Sequence, residues 1–207
     1  MKEQEGRASV LLFFFLFIGG ISFSTTQHSP DLVLGVGTFN TPVAVSVDPD
    51  SDALFVVDSL NDRVLRFDNR GGLTTASTFD FVFGQNSSSA NRVALNQPQS
   101  AWVASNTLWV ADYQNNRVLA FAANTTTSSP SAFLVLGQVD FQTGAAAKPP
   151  TSASMANPSG VMVDSSGTLW VTDPSNSRYT SFKPISTLPQ NTPSYKKKKG
   201  YLSFIMR

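Results

Sequence analysis

The hexapeptide DSLNDR at Asp58–Arg63 returns as DYQNNR at Asp112–Arg117 and as DPSNSR at Asp173–Arg178. Only Asp, Asn and Arg hold their places in all three copies. The spacing between successive Asp residues is 54 and then 61, so length has been added between units and not within them. A repeat of this size limits the fold strongly, because each copy is one supersecondary unit that must bury its faces against its neighbours.

The flanking residues say what the unit is. Each copy carries a proline (Pro42, Pro98, Pro158), a short apolar run, a polar turn, a second run ending in the Asp, and a third run ending in Phe. In VAVSV, residues Val43, Val45 and Val47 alternate with Ala44 and Ser46, the period of an antiparallel strand. The second runs LFVV, LWVA and LWVT are apolar on both faces and belong between stacked layers. A further short strand closed by glycine precedes or follows each unit: LVLG from Leu32, FVFG from Phe81 and LVLG from Leu134. No segment beyond the N-terminal apolar run has helical periodicity. The expected fold is all-β, a propeller of four-stranded antiparallel blades with about three blades present. Trp102, Trp109 and Trp170 lie within strands and are expected in the core.

The order of Pro, aliphatic strand, Asp-x-x-Asn-x-Arg and terminal Phe resembles the NHL repeat. Copies near 41–68, 97–122 and 157–183 carry it, within a propeller region spanning 31–183. The connector VLGQVDF at Val135–Phe141, echoed by VFGQN from Val82, is similar to one seen in members of that family. Copy three departs from the pattern, with Tyr179 and Thr180 in place of Val-Leu and Pro174 after the Asp.

The conserved-offset residues, Asp58, Asn61, Arg63, Asp112, Asn115, Arg117, Asp173, Asn176 and Arg178, read as structural. The Asp side chain is expected to accept backbone N–H groups two residues on. The Asn should take the left-handed conformation of a tight reversal. The Arg should grip an Asp carboxylate of its own or an adjacent blade by two points. Three carboxylates converging on a metal is the competing reading, disfavoured because blades spread these turns around a ring.

Strand alternation puts the turns between second and third strands on one face with the crossovers between blades. Candidate binding residues there are Leu60, Asp62, Tyr113, Gln114, Asn116, Gln138 and Asp140, with Ser175, Ser177, Gln85 and Phe141 nearby. Tyr113, an aromatic with a polar tip, is either a contact residue or a lid on the blade edge.

Composition narrows the chemistry. With no cysteine, and with His28 the single histidine, thiol catalysis, a Ser-His-Asp triad and a His/Cys zinc site lack their parts. The formal net charge of +1 hides an asymmetry. Between Thr25 and Tyr195 eight Lys and Arg face twelve Asp and Glu, whereas four lysines and Arg207 crowd the end. An acidic body argues against nucleic acid. The apolar run Val10–Ile18, behind Lys2 and Arg7, reads as a signal peptide over 1–24, with a membrane anchor as the alternative. Sequons at Asn86 and Asn124 agree with export and glycosylation.

The expectation is a secreted, non-enzymatic NHL-type propeller that binds a protein or glycan ligand, with no cofactor and no metal. The alternatives are a fragment of a propeller hydrolase or lyase, and an RNA-binding NHL domain. The resemblance implies zinc-binding histidines for the amidating lyases and inner Glu and Asp for the calcium-dependent lactonases, yet His28 is the last histidine and no Glu follows residue 5. Three blades leave apolar faces bare. Together with the irregular Lys-rich tail over 184–207, they suggest a truncated reading frame. The alternative is a homodimer that completes a six-bladed ring by exchanging the strand at Leu32–Leu34.

Overall fold

The computed structural model describes residues 30–35, 37–84 and 89–182. The chain divides into two compact units, Met1–Asp31 and Leu32–Arg207, and the sheets belong to the second. The apolar run at 10–18, Asn86, Gln85 and the basic tail lie outside the described residues, and no helix among those described is long and apolar enough to cross a membrane.

Among the described residues, eleven strands form three antiparallel sheets. The first contains β1 (Pro42–Val47), β2 (Leu54–Asp58), β3 (Arg63–Phe67) and β4 (Phe81–Phe83). The second contains β5 (Ser100–Ala104), β6 (Thr107–Asp112), β7 (Arg117–Ala122) and β8 (Leu134–Leu136). The third has β9 (Gly160–Val163), β10 (Leu169–Asp173) and β11 (Arg178–Phe182). In every sheet spatial order follows chain order. The inner strands β1, β5 and β9 lie side by side, so the sheets fan out from a common axis as the blades of a partial propeller.

Local chemistry explains the hairpins. Between β5 and β6, Ser105 and Asn106 both have positive φ (49° and 58°), the backbone of a two-residue type I′ turn. Between β1 and β2, Asp48 organises a longer turn by accepting from the Asp50 N–H and the Ser51 hydroxyl. An outer strand follows the first and second units, and Leu32–Leu34 is not a strand.

The second sheet gives one face to the first sheet and the other to the third. Phe55, Val57 and Phe83 of the first sheet pack on Val103, Val110 and Phe121 of the second. The opposite face of the second sheet, with Trp109, Ala111 and Val118, packs on Val161, Leu169 and Val171 of the third. Of the tryptophans only Trp109 is core. Trp102 and Trp170 correct the expectation: Trp102 lies on an inner strand beside the axis, and Trp170 lies on the bare side of the third sheet.

Candidate functional site

Each Asp-x-x-Asn-x-Arg motif folds as a strand end, one 3-10 turn and a strand start. Asp112 shows the design. Its Oδ1 accepts the backbone N–H of Asn96 at 2.7 Å, while Oδ2 accepts from Asn115 Nδ2 (2.9 Å) and Arg117 Nε (2.7 Å). Asp58 takes Asn40, Asn61 and Arg63 in the same way, and Asp173 takes Ala156, Asn176 and Arg178. The carboxylate thus latches the turn to the crossover that leads into the inner strand of its own blade.

Three expectations are corrected by this geometry. The Asp acceptor reaches a backbone N–H on the preceding crossover and not two residues on. The left-handed residue is the one after the motif Asn: Asp62, Asn116 and Ser177, with φ of 54°, 54° and 53°. The Arg meets the carboxylate through Nε alone, and its terminal nitrogens serve backbone carbonyls. Arg117 is the fullest case, donating to the carbonyls of Phe141, Asn91 and Ala94. With all three carboxylates held inside their own turns, no shared ion is formed from them. Among the described residues no group of three His, Cys, Asp or Glu side chains is placed to hold a metal.

A second pattern, unseen in the sequence, joins one blade to the next. Asp62 Oδ1 accepts the N–H of Gln97 at 2.8 Å, and Asn116 Oδ1 accepts the N–H of Asn157 at 2.9 Å. Donor and acceptor are both left-handed residues, with Gln97 and Asn157 at φ 48° and 53°. Asp, Asn and Ser tolerate that conformation and carry a short polar side chain, which suits them to the acceptor end.

Where the second and third blades meet on this face, a cleft of about 670 Å³ opens. Its walls are the turn residues Gln114, Asn116 and Ser175–Ser177, the left-handed Asn157, and the crossover residues Ala146–Lys148 with Pro150. Its polar groups are amides, hydroxyls and one ammonium, and no carboxylate lines it. Lys148 is the one lysine among the described residues, and no carboxylate pairs with it.

Of the residues singled out from sequence, Gln114 and Asn116 line this cleft, as do Ser175 and Ser177. Leu60 is exposed and Asp62 is bound to Gln97, both at the junction of the first and second blades. Tyr113 is half-buried, and its carbonyl accepts from Asn157 Nδ2. Gln138 pins the crossover by donating to the carbonyls of Asn116 (2.9 Å) and Ala145 (3.2 Å). Asp140 caps a turn, accepting from the N–H groups of Gln142 and Thr143. Phe141 is buried beneath the Arg92 guanidinium, 4.0 Å from the ring centre. Asn124 is exposed in the turn after β7, at the opposite end of the sheets. Sequence reading missed Lys148 and Asn157. The isolated lysine after AAA in the longer crossover was the available signal.

Away from this face, Asp164 organises the β9–β10 turn. It accepts from Ser166, Thr168 and, at 2.7 Å, Trp170 Nε1. The Ser166 hydroxyl, then the Trp170 indole, hold its carboxyl well below the usual range. A folded-state value below the unfolded one means that the contribution is complete above about pH 4 and is lost as pH falls toward the folded value. Acid titration followed by tryptophan emission is expected to show this loss in the natural chain and not in Asp164→Asn. Identical profiles would contradict the assignment.

No family model and no curated protein matches the chain. Solved structures with similar arrangement include a luciferin-regenerating enzyme (15% identity, TM-score 0.45, covering 68% of this chain and 40% of that one). Virginiamycin B lyase from Staphylococcus aureus is another (15%, 0.40, 70% and 41%). A third is an auxiliary nutrient binding protein from Bacteroides thetaiotaomicron (12%, 0.43, 66% and 36%). This chain therefore spans well under half the length of the structures it resembles. The expectation that the chain is not an enzyme is corrected by this finding, since named enzymes stand among them. At such identities the likeness concerns the fold, and no activity passes with it.

Proposed function

We propose that the chain is an NHL-type propeller portion that recognises an extended, acidic segment of another protein in the cleft between its second and third blades. The observation that carries the reading is the lining itself. Side-chain amides such as Gln114 can pair with a peptide backbone, and the one ammonium, Lys148, has no carboxylate partner and none beside it in the cleft. Aromatic platforms for sugar rings are absent from that lining, which favours a peptide over a glycan. The NHL assignment is supported by three Asp–Asn–Arg latches of one geometry. Export is supported by the apolar run behind Lys2 and Arg7 and by the two sequons.

Fluorescence polarisation against a set of labelled peptides, half rich in Asp and Glu and half neutral, tests the reading. Acidic peptides are expected to bind, with Lys148→Glu weakening them at least about tenfold, the scale of one charge-assisted contact, and Lys148→Arg retaining them. Binding that ignores both variants, or that is confined to uronic-acid oligosaccharides run alongside, would overturn it.

A further inference from the structure

We propose that the exposed inner strand of the first sheet (Val43, Val45, Val47) and the bare side of the third sheet are the two halves of one interface, and that a second copy of this chain joins them head to tail into a closed ring. The same interface already occurs twice within the chain. Sheet register makes Val45 the counterpart of Ala101 and Val161, because all three pair with the second-strand residue two places before the motif Asp. Ala101 and Val161 are 3% and 6% exposed against a preceding sheet, whereas Val45 is 68% exposed. On the other side, Tyr179 is the counterpart of Val64 and Val118, which are fully buried against a following sheet, and Tyr179 is 72% exposed.

The polar stitch leaves matched halves as well. Thr41 has the left-handed backbone (φ 56°) of Gln97 and Asn157, and among the described residues no acceptor meets its N–H. Ser177 occupies the acceptor place held by Asp62 and Asn116 in the other blades. Size agrees too: Met162, Trp170 and Tyr179 surround a hollow of about 420 Å³, and the facing inner strand offers only Val43, Val45 and Val47. A second copy suits these halves because a head and a tail of one kind are present on one chain. Such heterologous contacts form a ring when the rotation closes. Two copies of the three described sheets make six blades, inside the range of about four to eight at which propellers close.

Sedimentation velocity of the full chain across the micromolar range is the test. The expected species is a dimer and nothing larger. Val45→Glu and Tyr179→Glu, both at exposed positions, should each give a monomer with an unchanged far-ultraviolet circular dichroism spectrum. Mixing the two variants should restore a dimer, because one intact head then meets one intact tail. A wild-type monomer throughout the range, an open series of growing polymers, or a mixture that stays monomeric would each overturn the proposal.

Discussion

Arg117→Leu is expected to lower the free energy of unfolding by about 3–5 kcal/mol, the cost of stranding a buried charge. Leucine keeps the bulk but removes the partner of Asp112, whose side chain is fully buried like that of Arg117 itself. Burial already pushes the Asp112 carboxyl up, and the Arg117 guanidinium is the first of the groups that oppose this. Without it the carboxyl must take up a proton or remain an unpaired ion, and the carbonyls of Phe141, Asn91 and Ala94 lose their donor. Arg63→Leu and Arg178→Leu should cost less, because both side chains keep 26% of their surface in water. Urea denaturation of the three variants measures the order. Equal losses at all three positions would show that burial of the central latch is not what gives it weight.

Phe83→Ala carries the second large effect. Phe83 stands between Phe55 (5.9 Å between ring centres) and Phe121 (5.7 Å), and all three rings are fully buried where the first sheet meets the second. Truncation removes the middle of this stack and leaves a cavity, at a cost of about 3–5 kcal/mol. In a serial arrangement each sheet is held only by its neighbours. The first sheet should therefore separate before the other two, and calorimetry should resolve two transitions where the natural chain gives one. A single transition at nearly the natural temperature would refute the idea that this stack couples the sheets.

The repeat made the fold legible because strands and turns are local. Alternation in VAVSV, the apolar second runs and the returning hexapeptide sufficed for two complete sheets and a three-stranded third. What escaped was long-range. Nothing in the residue types of Asn40, Asn96 and Ala156 marks them as donors to Asp58, Asp112 and Asp173, since the donor is a backbone N–H that every residue but proline has. The left-handed position was misplaced by one residue for a physical reason: Asn61 and Asp62, or Asn115 and Asn116, are both types that tolerate it. Trp170 was misjudged because its strand pattern matches that of buried Trp109, and the pattern does not say whether another sheet follows. The cleft was half visible, through Gln114 and Asn116. Its remaining wall belongs to a crossover with no periodicity to read.

That crossover separates two kinds of change. Residues 137–159 form a longer link than residues 84–99, and the extra length supplies Ala146–Lys148 and Pro150 to the cleft while the latches and strand registers on either side keep their geometry. Sequence drift at Ala146–Lys148 and Pro150 can retune what the surface selects, while Gln138, Phe141 and Ala156 of the same link keep it fastened to the latches.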